Sequence, residues 1–156
     1  MNMRLLLGIL VMIAVISGCT DGEKANTAYK LEDVTQAMEK QGLQLLQIHP
    51  KGGTSPFAKL NDVDAVTFAI DTYKMGDVAD EVGSSVASLV NVYIYVFESD
   101  KARIEGHEAL NDLLARANFA TAPSVFANKN IIVIHFKGTD EKKEYDEMIK
   151  TAIIGM

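Results

Sequence analysis

Apolar residues recur along this chain first at helical and then at strand spacing, and the changes of period divide it into elements. Between Tyr29 and Gln41, Leu31, Val34 and Met38 stand three or four residues apart, and Gly42 follows where a helix commonly stops. This spacing predicts a short amphipathic helix. Leu43 to Ile48 reads as a strand, ended by His49-Pro50 and the loop Lys51-Gly52-Gly53-Thr54-Ser55-Pro56. Val63 to Ile70 is a second strand. From Tyr73 to Val90, Val78, Val82, Val86 and Leu89 fit a helical face that Gly83-Ser84-Ser85 interrupts, so a short helix is expected there. Asn91 to Glu98 carries Val92-Tyr93-Ile94-Tyr95-Val96-Phe97, apolar on both faces, which predicts a central strand covered on both sides.

Ser99 can cap a helix and Asp100 suits its positive end, after which Ile104, Leu110, Leu113, Leu114 and Ala117 keep helical spacing to about Asn118. Ala122-Pro123-Ser124 breaks the chain, and Ile131 to Phe136 forms another strand. Thr139 can cap a last helix that buries Tyr145, Met148, Ile149 and Ala152. The order is α-β-β-(α)-β-α-β-α. It fits an α+β, two-layer sandwich, in which a mainly antiparallel sheet of about four strands buries one face under helices. The strand-helix-strand unit from Asn91 to Phe136 can make a right-handed crossover and resembles half of a ferredoxin-like fold. That likeness concerns fold and carries no function.

The residues before the first helix have a different character. Arg4 is followed by twelve residues, Leu5 to Ile16, that are all apolar except Gly8, and then by Ser17, Gly18 and Cys19. A positive start, a short apolar run and small residues at its end have the form of an export signal. A membrane-spanning helix needs about 20 apolar residues, so a run of this length does not reach across a bilayer unaided. Ile16-Ser17-Gly18-Cys19 resembles the lipobox of bacterial lipoproteins: a branched apolar residue, two small ones and an obligatory cysteine. That resemblance implies a diacylglyceryl thioether on Cys19 and cleavage just before it. The mature chain also resembles small uncharacterised lipoproteins of Gram-positive bacteria. The divisions expected are a signal peptide at residues 1–18, lipid attachment and a flexible tether at 19–29, and a single α+β domain at 30–156.

Cys19 is the only cysteine, so no disulfide can form within the chain, and lipidation accounts for the lone thiol. At about 0.8 kcal/mol per buried CH₂, two or more acyl chains would hold the protein on its membrane, at the extracytoplasmic face. The chain carries a net charge of −6; without Arg4 it keeps 14 basic and 21 acidic residues, a charge of −7. This balance argues against nucleic acid and against a polybasic grip on anionic lipid.

Candidate chemistry is sparse. His49, His107 and His135 fall on different expected elements, and Asn111 stands where a zincin helix needs its second histidine after His107-Glu108. Asp62, Asp64, Asp77, Asp80 and Glu81 cluster along the chain without the glycine and closing glutamate of an EF-hand; helix N-terminal charge suits the last three better. Lys51-Gly52-Gly53-Thr54 lacks phosphate-loop spacing, and Gly83-Ser84-Ser85-Val86 is not a nucleophile elbow. No metal site, cofactor or catalytic residue is therefore expected.

Tyr93, Tyr95 and Phe97 share one strand face. They can either grip a sugar ring or a peptide, or serve as core beneath a helix. Two function classes follow. One is a non-catalytic binding or accessory module, anchored by lipid, that meets an envelope protein, peptide or glycan. The other is a small envelope hydrolase or metal-dependent enzyme in which distant histidines and carboxylates converge.

Overall fold

The structure is a computed structural model and describes residues 28–49, 55–70, 90–119, 122–137 and 144–156. Its elements are α1 (Leu31–Lys40), β1 (Leu45–Ile48), β2 (Lys59–Leu60), β3 (Val63–Asp64), β4 (Val66–Ile70), β5 (Val90–Val96), α2 (Asp100–Arg116), β6 (Ser124–Asn128), β7 (Ile131–Phe136) and α3 (Glu144–Ile154). Five strands make one sheet in the order β1-β4-β5-β7-β6, with every neighbouring pair antiparallel. β2 and β3 form a separate hairpin.

Strand periodicity sends alternate side chains to opposite faces, and both faces are buried. Phe68, Ile70, Val92, Ile94, Ile131 and Val133 face Val34 and Met38 of α1 and Tyr145, Ile149, Ala152 and Ile153 of α3. On the other face Tyr95, Phe97, Ile132 and Ile134 lie beneath Leu110 of α2 and beneath Phe57 and Leu60 around the small hairpin. The central strands β5 and β7 are thus apolar on both sides, as the unbroken run from Val92 to Phe97 predicts. Each fully buried Ile or Leu contributes about 1.5–3 kcal/mol.

Local chemistry sets the ends of these elements. Gly42, at φ +92°, closes α1, and its N–H donates to the Glu39 carbonyl at 2.8 Å. Ser99 caps α2, its hydroxyl accepting from the Ala102 N–H at 3.1 Å. Midway along α2, Gly106 lies against the Phe97 ring, where a Cβ would fall 2.4 Å from ring carbons; the missing side chain lets helix and sheet approach. Asn61 and Asp62 both take positive φ, which suits the two-residue turn between β2 and β3. Asn130, only 2 % exposed, holds the entry of the chain: its Oδ1 accepts from the Tyr29 N–H, and its Nδ2 donates to the carbonyls of Tyr29 and Phe97. Tyr29 is thus held at the β6–β7 turn.

The class is α+β with a mainly antiparallel sheet, and the sheet with α1 and α3 forms a two-layer sandwich. It has five strands rather than four, and α2 with the β2–β3 hairpin also covers its second face. Three sequence expectations change. Val63 to Ile70 divides into β3 and β4, because β3 pairs with β2 instead of joining the main sheet. The stretch after Pro123 is not merely a break but holds β6, so β5-α2-β6 is the crossover and β7 returns antiparallel between its strands. A ferredoxin-like layout would put both helices on one face, whereas α2 and α3 lie on opposite faces. The helix expected between Tyr73 and Val90 and the Thr139 cap lie outside the described residues.

Candidate functional site

One polar cluster gathers around a carboxylate, Asp146. Ser124 and His135 are directly opposed across β6 and β7, so their side chains share the face beneath α3. Lys137 follows two residues after His135 on the same side. The first turn of α3 sets Asp146 over all three. Asp146 Oδ1 lies 2.7 Å from His135 Nδ1, and its Oδ2 accepts from the Ser124 hydroxyl at 2.8 Å and pairs with the Lys137 ammonium. His135 is 1 % exposed and the Asp146 side chain 19 %. Burial pushes the Asp146 carboxyl upward, but hydrogen bonds from Lys137, His135 and Ser124 outweigh it and hold the group below the usual carboxylate range.

This geometry decides what the cluster can do. A nucleophilic relay needs the serine hydroxyl to give its proton to the imidazole while the acid orients the imidazole from behind. Here the Ser124 hydroxyl and His135 Nδ1 both point at the same carboxylate. The arrangement is a clamp that fastens the start of α3 to the sheet. Beside it, a groove of about 510 Å³ runs between β6 and α3, lined by Ser124, Phe126, Ala127, Asp146, Lys150 and Ile154 among others. Ile154, 65 % exposed, is the most exposed large apolar side chain among the described residues.

Apart from His135, the residues singled out from sequence fall elsewhere. Tyr95 and Phe97 are buried under α2 and the hairpin, so these two serve as core and not as an open binding face. Burial pushes the Tyr95 hydroxyl pKa up, and the hydroxyl donates to the Phe57 carbonyl. Tyr93 is half-buried among Phe57 and Phe136 and reaches the Ser55 hydroxyl at 3.4 Å. His49 follows the edge strand β1, three places in the sheet from β7, and His107 lies on α2, on the face opposite His135. The three histidines do not converge.

Asp64 pairs with Lys59, and Asp62 sits in an exposed turn. Among the described residues no group of three or more His, Cys, Asp or Glu could hold a metal ion, and no helix is long and apolar enough to cross a membrane. Cys19, Lys51 to Thr54, Asp77, Asp80, Glu81 and Gly83-Ser84-Ser85 lie outside the described residues. Sequence reading missed Ser124, Lys137 and Asp146; the Lys129-Asn130 pair between two apolar runs was a signal for the hairpin that opposes Ser124 to His135. Comparison of the chain with protein-family models, with curated proteins and with solved structures finds no match.

Proposed function

We propose that the protein is a membrane-anchored extracytoplasmic lipoprotein whose folded domain is a non-catalytic binding or accessory module. The observation that carries this reading is Ile16-Ser17-Gly18-Cys19 at the end of a twelve-residue apolar run, with Cys19 the sole cysteine. The entry of the chain supports it. Tyr29 is fastened at the β6–β7 turn, while Ser124, His135 and Lys137 lie at the other end of those strands, about 17–23 Å away at 3.3 Å per residue. The chain from Cys19 thus enters at the end opposite the Asp146 cluster, and the module's partner would be an envelope protein, peptide or glycan. Replacing Cys19 with Ser should move the protein from the membrane fraction to the soluble fraction or leave it as an uncleaved precursor. A processed variant that stays as membrane-bound as the parent would refute the anchor.

A hydrolytic reading draws on the meeting of Ser124, His135 and Asp146. It requires the Ser124 hydroxyl to turn from the carboxylate to the imidazole, and it predicts labelling of Ser124 by an active-serine phosphonate. Absence of label at Ser124 in the folded protein sets it aside.

A further inference from the structure

We propose that two copies of this chain associate through β6, paired antiparallel in a register centred on Phe126. The inference goes beyond the lipoprotein reading and does not depend on it. β6 is the last strand of the sheet and has no strand beyond it among the described residues. The direction of its unpaired groups follows from the neighbouring ladder. The Asn130 carbonyl accepts from the Phe97 N–H at 2.8 Å and so faces β5, which turns the N–H and C=O of Ile131 toward β6. Ile131 opposes Asn128, so Ser124, Phe126 and Asn128 bond inward to β7, while Val125 and Ala127 present their N–H and C=O outward.

An extended strand is what such an edge takes, and β6 suits a copy of itself. Natural edges are usually guarded by lysine, proline, a bulge or an inward charge. Ser124-Val125-Phe126-Ala127-Asn128 has no charge and no proline, and its register with β7 is unbroken. Centred on Phe126, Val125 of one copy opposes Ala127 of the other. Outward groups then meet outward groups, and four backbone hydrogen bonds close across the dyad. The two Phe126 residues form the intervening pair that is not hydrogen-bonded, with Cα atoms about 4.5 Å apart. Their rings would meet at the groove beside α3.

Beside the edge, Ile154 of α3 is 65 % exposed and would add apolar area to the seam. The other edge strand, β1, is four residues long, one fewer than β6. The anchor permits the arrangement: Thr20 to Ala28, nine residues, reaches up to about 30 Å when extended, more than the length of β6, so both lipids can enter one membrane.

The test measures the mass of the full chain in detergent by light scattering, corrected for the micelle, over a micromolar concentration series. The expected result is twice the single-chain mass at the upper concentrations, an unprocessed chain being 17.0 kDa. Ala127→Pro removes two of the four cross-dyad bonds and no bond to β7, and should weaken association at least tenfold. Ala127→Lys, at an exposed position, should do the same while leaving the far-ultraviolet circular dichroism unchanged. Phe126→Cys, oxidised and mapped by peptide mass, should give a 126–126 disulfide, since a 4.5 Å Cα separation lies within disulfide reach. A single-chain mass at every concentration overturns the proposal. So does association that ignores both Ala127 substitutions, or an edge that stays monomeric and takes up a strand-forming peptide instead.

Discussion

Replacing Asp146 with Asn keeps the volume of the side chain but removes the charge that three donors share. Hydrogen bonds to a charged group contribute about 1.5–3 kcal/mol each, against about 0.5–1.5 kcal/mol for neutral pairs. His135 and Ser124 lose that difference, and the new amide N–H₂ must face the Ser124 hydroxyl or the Lys137 ammonium, donor against donor. Lys137 is about one-third exposed and is resolvated by water, so its share is small. The total is about 2–4 kcal/mol, which for a domain of this size lowers the melting temperature by about 5–15 °C.

Acid should erase the difference between parent and variant. The folded Asp146 carboxyl titrates below its unfolded value near 3.9, so its contribution is fully present above that pH and is lost as pH falls through the folded value. Thermal melts followed by circular dichroism at pH 7 and at steps down to pH 3 test both parts. A variant that melts within 1 °C of the parent at pH 7, or a gap that stays constant down to pH 3, refutes the clamp.

Two further substitutions probe the core. Gly106→Ala should destabilise the domain by about 1–3 kcal/mol, because a Cβ 2.4 Å from the buried Phe97 ring outweighs the gain of about 1 kcal/mol in helix propensity; a chemical-denaturation midpoint at or above the parent's contradicts this packing. Ile134→Asp places an unpaired charge in a fully buried strand position and should abolish folding at 37 °C, so native-like amide dispersion in an NMR spectrum of the variant would remove Ile134 from the core.

Where a physical signal was local, the sequence made the fold legible. The double-faced apolar run from Val92 to Phe97, the Ser99 cap, the stop at Gly42 and the limits of β7 are each encoded within a few residues, and each stands in the structure. What depended on pairing did not show. Val63 to Ile70 reads as one strand because the switch of partner at Ala65 leaves no mark on its apolar pattern. β6 hid behind Pro123, since a proline just before an edge strand looks the same as a proline ending a loop. The Asp146 cluster was illegible for a related reason: Ser124, His135, Lys137 and Asp146 have no diagnostic spacing, and only the β6–β7 register and the docking of α3 bring them together. Tyr93, Tyr95 and Phe97 were ambiguous between core and surface until the position of α2 decided two of them.

The measurement that bears most directly on the central claim is the mass of the amino-terminal peptide of the protein isolated from its native membrane. The lipoprotein reading predicts a peptide that begins at Cys19 and carries the added mass of a diacylglyceryl group on its sulfur. An intact Met1 to Cys19 segment with an unmodified thiol would contradict it and would make the run from Leu5 to Ile16 a retained apolar segment.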